Sequence, residues 1–257
     1  MKFTVLASGS KGNMTYIEAG NHKILIDAGI SLVNAKKRRE DIDFSKIDNV
    51  FITHEHSDHI KFIDTVLKKT NADLYIHKKT FYKIDKKITE QFNPDKIKFI
   101  EEDGHYKLDD NFDFYTLKLS HDAAFCLGYI FKYNNKTLGY VTDTGYFPAQ
   151  YIKVASSLDA IIIEANHNIE MLMESEREEF LKSRILSPLG HMSNYICFQV
   201  LKQIIKGKIS KIVLAHISEE CNSISCIEEE ILIPLKEIYQ GEVLVASQYE
   251  ATKMFEL

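Results

Sequence analysis

The sequence has few of the residues that usually mark linkers between domains: only four prolines occur in 257 residues. No segment is rich in proline and glycine, none is of low complexity, and no internal repeat is found. Such segments mark linkers and repeat arrays, so their absence leaves no evident domain boundary. Because 45% of the residues are hydrophobic, the chain can bury a sizeable core. We therefore expect a single domain over residues 1–257.

Long apolar runs are also missing. No stretch approaches the ~20 apolar residues that cross a bilayer as a helix. The first residues, MKFTVLASGSKGN, hold one lysine and a short apolar run broken by Ser-Gly-Ser, which is too brief for the core of a signal peptide. We expect a soluble, cytoplasmic protein without a membrane partner.

An excess of basic charge is absent as well. The formal net charge is −5 and the isoelectric point is near 6.1, which argues against a protein that holds nucleic acid chiefly by coating its phosphates. This net charge is compatible with a nuclease that binds phosphate through metal ions. Basic clusters such as Lys68–Lys69, Lys78–Lys79 and Lys86–Lys87 are either solvated surface or a guide for a polyanion.

The cysteines form no CxxC pair, and they lie in apolar or loop contexts. This pattern favours reduced core thiols over disulfides or a zinc knuckle. The four are Cys126, Cys197, Cys221 and Cys226.

What the chain does contain is a series of short β-rich segments. Twelve recur, from KFTVLA at the start to GEVLVA near the end, and each is rich in β-branched or aromatic residues. Between some of them lie helix-like runs with apolar residues three and four positions apart: SDHIKFIDTVLKKT, IEMLMESEREEFLKSRIL, SNYICFQVLKQIIKG and CIEEEILIPLKEIYQ. Sheets packed together with helices outside would bury both patterns, which predicts an α/β layered sandwich.

The segment FITHEHSDHI, residues 51–60, places three histidines and two carboxylates behind a short apolar run. Imidazole and carboxylate groups bind borderline divalent metals and transfer protons near neutral pH. If the segment stays extended, His54, His56 and Asp58 share one side, and His59 follows as a helix begins near Ser57. One short loop can therefore supply ligands to two metals.

Polar residues also follow apolar strands elsewhere in the chain. Side chains at strand ends are held by a rigid sheet and can face a shared cleft. The residues in question are Asp27 after KILI, His54 after NVFIT, His121 after FYTLKLS, Asp143 after LGYVT and His216 after KIVLA. We expect them to meet at one site.

The ordered set of His-x-His-x-Asp-His, an upstream LIDAG and later His, Asp and His residues resembles the metallo-β-lactamase-fold hydrolases, whose fold is a four-layer αββα sandwich. The resemblance runs from Asp27 to His216. It implies that Asp143 bridges two metals and that Asp27 orients the ligand loop without touching metal. The implied ligands of the two metals are His54, His56 and His121 for one, and Asp58, His59 and His216 for the other.

Other segments resemble the WalJ/YycJ subgroup: ASGSKGN, SHDAAFCLGY, IIIEANHNIEML, RILSPLGHMSN and LAHISEECN. This resemblance implies a phosphodiesterase that acts on nucleic acid, with exonuclease activity on DNA ends as the expected reaction and nucleic acid as the expected partner. True β-lactamases of the fold lack the bridging aspartate, so Asp143 argues against antibiotic hydrolysis. The implied cofactors are two divalent ions (Zn²⁺, Mn²⁺ or Fe²⁺), and the implied nucleophile is a hydroxide that bridges them.

Two alternatives stay open at the level of sequence. The same metal pair could hydrolyse a small thioester, lactone or cyclic phosphodiester, which would need a closed pocket rather than an open groove. A structural or sensory metal-binding module is the other alternative. It would require protein ligands to saturate the site.

Several residues are candidates for catalysis or substrate binding. Asp58 could orient the hydroxide, and His191 could contact phosphate or protonate a leaving alkoxide. Ser10 lies in a glycine-containing loop that either binds phosphate or only connects a hairpin. His167 and Asn194 are further candidates for substrate contact, although Asn194 or its neighbour could instead cap a helix.

Two residues near these candidates receive no catalytic role. Alternation points Glu55 away from His54 and His56, and His77 is expected to end a strand without a partner.

Overall fold

The computed structural model describes residues 1–257 and contains two sheets of seven strands each. The first sheet has the order β14-β1-β2-β3-β4-β5-β6. Its strands are β1 (Lys2–Ala7), β2 (Met14–Ala19), β3 (His22–Ile26), β4 (Asn49–Phe51), β5 (Asp73–His77), β6 (Ile97–Ile100) and β14 (Phe255–Glu256). Strands β14 to β3 pair antiparallel, whereas β3 to β6 pair parallel.

The second sheet repeats this division, with the order β13-β12-β11-β10-β9-β8-β7. Its strands are β7 (His105–Lys107), β8 (Phe112–Leu119), β9 (Cys126–Tyr133), β10 (Lys136–Val141), β11 (Ala160–Glu164), β12 (Lys211–Ala215) and β13 (Glu242–Val245). Strands β10 to β13 are parallel, and β7 to β10 are antiparallel. All twelve predicted strands are present, and β7 and β14 are additional.

Helices cover the outer face of each sheet. They are α1 (Leu32–Arg38), α2 (Ser57–Ile60), α3 (Ile63–Thr70), α4 (Lys78–Lys83), α5 (Lys86–Thr89), α6 (Ile152–Ala155), α7 (Ile169–Glu174), α8 (Glu179–Leu186), α9 (Asn194–Ile204), α10 (Ile224–Ile227) and α11 (Ile233–Lys236). A π-helical segment, Glu228–Leu232, joins α10 to α11. No helix of the chain has the length and apolar character that a membrane span requires.

Alternation along the strands separates three hydrophobic layers. In β3, Ile24 and Ile26 point between the sheets while Leu25 packs under the helices of the first sheet. In β11, Ile162 points between the sheets, and Ile161 and Ile163 pack under the helices of the second. Because both faces of these strands are buried, their sequences are continuous apolar runs. The predicted αββα sandwich is confirmed.

Candidate metal centre and adjoining cavities

The predicted strand-end residues lie together at one edge of the sandwich. Strands β3 and β4 of the first sheet and β8, β10, β11 and β12 of the second end at this edge, because the carboxyl ends of parallel strands share a side. Each strand is followed within a few residues by a histidine or a carboxylate. The sheet register therefore fixes the relative positions of side chains far apart in sequence.

Three of these residues adopt a backbone conformation that is rare outside glycine. The φ angles of Asp27, Asp143 and His216 are 63°, 58° and 54°. Left-handed backbone at a non-glycine residue costs of order 1–3 kcal/mol and persists only where the surrounding structure enforces it. The strand ends thus store strain where the functional side chains turn into the cleft.

His54, His56 and His121 form the first group of potential metal ligands. Their ligand atoms all lie within 4.8 Å of one another, and Nδ1 of His56 is 3.3 Å from Nε2 of His121. Nδ1 of His121 donates to the carbonyl of Gly190 at 3.1 Å, and Nδ1 of His54 is 3.0 Å from the Thr53 hydroxyl. These contacts on Nδ1 leave Nε2 of both rings directed at the shared space.

Asp58, His59 and His216 form the second group. Oδ2 of Asp58 lies 3.3 Å from Nε2 of His59 and 3.5 Å from Nε2 of His216. Nδ1 of His59 donates to Asp27 at 2.8 Å, and Nδ1 of His216 donates to Glu164 at 3.0 Å. Two buried carboxylates therefore orient the two rings.

Asp143 lies between the groups. Its Oδ1 is 3.3 Å from Nε2 of His216 and 4.0 Å from Nε2 of His121, and its Oδ2 is 3.4 Å from Nε2 of His59. No other carboxylate lies within 4.0 Å of histidines of both groups. The geometry suits a ligand shared by two ions.

The donor set fits divalent cations. Nε2 of His54, Nε2 of His216 and Oδ2 of Asp143 are buried without any hydrogen-bond partner in the protein, which is costly unless a ligand is bound. Burial by itself would raise the pKa of Asp143, but His216 and His59 lower it well below its usual value. The pKa of Asp58 is likewise lowered, because His59 and His216 outweigh its burial. Both carboxylates are therefore ionised at neutral pH and attract cations.

Two supporting residues were not predicted from the sequence. Nδ2 of Asn13 lies 3.1 Å from Oδ2 of Asp58 and 3.0 Å from Nε2 of His59, and Oδ1 of Asn13 accepts from the amide of Gly9 at 2.8 Å. Asn13 thereby joins the N-terminal loop to the second group. In the sequence, the only feature that could have indicated a role for Asn13 was its position in the segment ASGSKGN.

Glu164, the last residue of β11, is the second supporting residue that was not predicted from the sequence. It is fully buried and accepts hydrogen bonds from the rings of His191 (2.8 Å) and His216 (3.0 Å). The backbone amides of Thr144 and Met192 also donate to it. Burial would raise its pKa, but His191 and His216 lower it to about 2. In the sequence, the feature that could have indicated its role was the position of an acidic residue directly after the apolar run AIII.

A close backbone approach explains the glycine of LIDAG. The amide of Asn13 donates to the carbonyl of Asp58 at 2.8 Å, next to Gly29. A Cβ on Gly29 would lie 1.7 Å from that same carbonyl oxygen. The ligand loop could not pack against β3 with any larger residue at this position.

A small cavity of about 110 Å³ adjoins the first group through His121, and His191 also lines it. Arg177 and Arg184 also line it, each beside a carboxylate: Arg177 pairs with Glu220 at 2.9 Å, and Arg184 pairs with Asp122. Asp122 also lines the cavity, together with neutral polar residues: Ser10, Asn166 and Ser218. Arginine forks, hydroxyls and amides are the groups that hold phosphate oxygens.

Two predicted substrate contacts are corrected by the structure. Asn194 is fully buried at the start of α9, where its amide pairs reciprocally with that of Asn222, and Ser193 caps the helix. His167 is 1% exposed, and neither ring nitrogen has a partner. Neither side chain is available for direct contact with a substrate. Ser10, in contrast, is exposed and lines the small cavity.

Glu55 and His77 have structural contacts. Glu55 accepts a hydrogen bond from the amide of Ala124 at 2.6 Å, in the loop that follows His121, and belongs to neither histidine group. His77 does have partners, contrary to expectation: its Nε2 is 3.3 Å from Glu101, and its ring stacks on Phe125 with centroids 3.7 Å apart. The four cysteines are free, and three of them are buried.

An αββα sandwich with histidines and carboxylates at its strand ends defines the class of the metallo-β-lactamase-fold hydrolases. Comparison with known proteins agrees, since a model of the beta-lactamase superfamily domain matches residues 22–217. Exodeoxyribonuclease YycJ of Bacillus anthracis is 34% identical over 224 residues, covering 86% of this chain and 84% of the relative. Exodeoxyribonuclease WalJ of Streptococcus pneumoniae serotype 2 is 35% identical over 228 residues, covering 86% and 83%.

Among solved structures, the metallo-beta-lactamase fold protein YhfI from Bacillus subtilis matches with a TM-score of 0.71 at 18% identity, covering 98% of each chain. The chain therefore belongs to the beta-lactamase superfamily, within the group that contains YycJ and WalJ, and is a metal-dependent hydrolase. The family predicted from the sequence is confirmed.

Proposed function

We propose that the protein is a dinuclear metal-dependent phosphodiesterase that removes nucleotides from DNA ends. The observation that carries this proposal is the arginine-lined cavity of about 110 Å³, which His121 of the first ligand group and the candidate catalytic residue His191 both line. A cavity of this size accommodates a phosphate group but not a nucleoside. The names of the relatives YycJ and WalJ, both exodeoxyribonucleases, support DNA as the substrate.

The ligand assignment follows the two groups. His54, His56 and His121 would hold one ion. Asp58, His59 and His216 would hold the other, and Asp143 would bind both through its two oxygens. Asp27 would stay outside the ligand set, because both its oxygens already accept hydrogen bonds from Thr53 and His59.

When bound, two divalent ions (Zn²⁺, Mn²⁺ or Fe²⁺) supply Lewis acidity and an activated water as nucleophile. The protein then positions this chemistry. Nδ2 of Asn13 donates to Oδ2 of Asp58 and so fixes the carboxylate that would face the attacking water. Asp58 would hold the water in line with the phosphorus and accept its hydrogen bond.

His191 is proposed to act on the leaving group. Its Nδ1 donates to Glu164 at 2.8 Å, which leaves Nε2 facing the cavity that His191 lines. From there Nε2–H can donate a proton to the departing oxygen or a hydrogen bond to the phosphate. Glu164 holds the ring in the orientation that either role requires.

The alternative of a small thioester, lactone or cyclic phosphodiester receives less support. Such an enzyme encloses its substrate in a largely apolar pocket. Here the small cavity is lined mainly by polar and charged residues, and the larger cavity of about 400 Å³ beside His121 is open to solvent. This arrangement favours a long, charged substrate.

A substrate panel tests the proposal. The whole chain, loaded with Mn²⁺ or Zn²⁺, is offered single- and double-stranded DNA with 5′-phosphorylated or 5′-hydroxyl ends, RNA, bis(p-nitrophenyl) phosphate and a set of lactones. We expect mononucleotide release from DNA, with 5′-phosphorylated ends preferred over 5′-hydroxyl ends. Faster hydrolysis of a lactone than of any phosphodiester would refute the assignment.

A further inference from the structure

A second, larger cavity of about 400 Å³ adjoins the metal centre at His121. His121 is the single residue that it shares with the arginine-lined cavity. A chain that passes the metal centre could therefore occupy both cavities at once. The walls of the larger one carry two lysines, Lys79 and Lys118, which the ligand assignment and the proposed mechanism do not use.

The charge of this cavity is opposite to that of the protein as a whole. The chain has a formal net charge of −5, yet no aspartate or glutamate lines the cavity. A local positive wall on an acidic protein attracts anions at this place and repels them elsewhere. The cavity thus has the electrostatics of a binding site for a polyanion.

The two lysines are held over one aromatic ring. Nζ of Lys79 and Nζ of Lys118 each lie 5.3 Å from the centroid of Phe125. The ring of Phe125 is itself buried and stacked on His77. Cation–π contacts of this kind restrain a flexible lysine without neutralising it.

The nearest carboxylates leave the ammonium groups largely free. Glu102 approaches Lys118 only at 4.0 Å, and Lys79 has no carboxylate within that distance. Bringing two like charges to one ring is unfavourable unless an anion binds both. Both side chains are exposed, so a ligand can reach them.

The same cavity also offers apolar surface. Tyr146 and Leu189 line it, and they are 45% and 53% exposed. An aromatic ring beside a basic wall is the combination that binds single-stranded nucleic acid, since bases stack on the ring while phosphates contact the cations.

We propose that this cavity binds a single strand of DNA next to the scissile phosphate, with phosphates at Lys79 and Lys118 and a base on Tyr146. This inference rests on the proposed function, because it assigns the substrate path of the same site. The strand would lie in the larger cavity while a phosphate at the end of the strand lies in the arginine-lined one.

The test compares two double variants of equal charge. Lys79→Ala/Lys118→Ala removes the proposed contacts, and Lys86→Ala/Lys87→Ala removes two positive charges on α5, outside the cavity. Binding of a fluorescein-labelled 20-nucleotide single strand is measured by anisotropy in an Asp143→Asn background, and hydrolysis of bis(p-nitrophenyl) phosphate is measured in the otherwise native protein.

We expect the cavity variant to raise the dissociation constant at least about tenfold and to reduce the salt dependence of binding by about 1.4 in log–log slope, the value for two lost phosphate contacts. Hydrolysis of the small diester should be unchanged. Tyr146→Ala should weaken binding more than Tyr82→Ala, which removes an exposed tyrosine on α4.

Equal binding by the two double variants would overturn the inference, as would a matching loss of small-diester hydrolysis in the cavity variant. The proposed function fails separately, if the native protein binds the strand through these lysines but cleaves no DNA with either metal.

Discussion

Nδ1 of His59 donates to Oδ2 of Asp27 at 2.8 Å, and neither side chain is exposed to solvent. The other oxygen of Asp27 accepts from the amide of Thr53 at 2.9 Å. A carboxylate is required here, because both neighbours are donors. The pair joins the end of β3 to the ligand loop and fixes the ring of His59.

Asp27→Asn should therefore weaken metal binding without removing a ligand. An amide presents one acceptor and one donor, so one of its neighbours must lose a hydrogen bond. Loss of such an orienting partner typically lowers metal affinity by roughly 10–100-fold. Titration against a chelator would measure it, with Asp113→Asn, which alters a surface carboxylate paired with His105, as the control. Equal affinities in the two variants would show that His59 does not need Asp27.

Asp143→Asn should reduce the metal content below two equivalents per chain and abolish turnover. The amide keeps the shape of the side chain but loses the charge that holds two cations close together. Metal analysis of protein purified without chelator gives the stoichiometry, and circular dichroism shows whether the fold persists. Two retained equivalents with near-native activity would mean that Asp143 is not the bridge.

His191→Ala should keep both metals and lose roughly 10²–10⁴-fold in rate on DNA, the usual range for a general acid or base. The two proposed roles then separate by leaving group. p-Nitrophenolate needs little protonation, so bis(p-nitrophenyl) phosphate should lose much less if His191 is the acid, and as much as DNA if it binds phosphate. Loss of a metal would instead make His191 a ligand, contrary to the assignment.

His167 should make the protein sensitive to mild acid. Burial lowers the pKa of this imidazole from 6.5 to about 4, so the folded chain excludes a proton that the unfolded chain binds. Its contribution to stability is complete above pH 6.5 and is lost as the pH falls towards 4. At pH 5 the loss amounts to about 2 kcal/mol.

His167→Leu removes this effect while filling a similar volume. Since neither ring nitrogen has a hydrogen-bond partner, the variant should be at least as stable as the native protein at pH 7.5. Urea unfolding at pH 7.5 and pH 5 should show its advantage growing by about 2 kcal/mol at the lower pH. An advantage independent of pH would indicate that His167 is protonated or hydrated in the folded state.

The sequence alone indicated both the layers of the fold and the cluster of polar residues at the strand ends. Short apolar runs of three or four residues, followed by polar residues, carry this information locally. The helices α1, α4, α5 and α6 were not predicted, because they are short and most of their residues are polar or solvated. Strand β14 has only two residues and depends on pairing with β1.

Only the tertiary structure identified the residues that support the site. Glu164 was one acidic residue among many until the parallel pairing of β10, β11 and β12 placed it under His191 and His216. The same holds for Lys79 and Lys118, which are 39 residues apart in sequence but meet over Phe125. Asn194 was misassigned because its partner, Asn222, follows 28 residues later.

The sequence by itself therefore determined the chemistry that is available and the strand ends that carry it, since residue type and local hydrophobic period are properties of short segments. The partner of each polar group was decided only by the packed sheets. Hydrogen bonds, buried charges and cavities depend on distances of a few ångströms between segments that are far apart in the sequence. The register of the strands sets those distances.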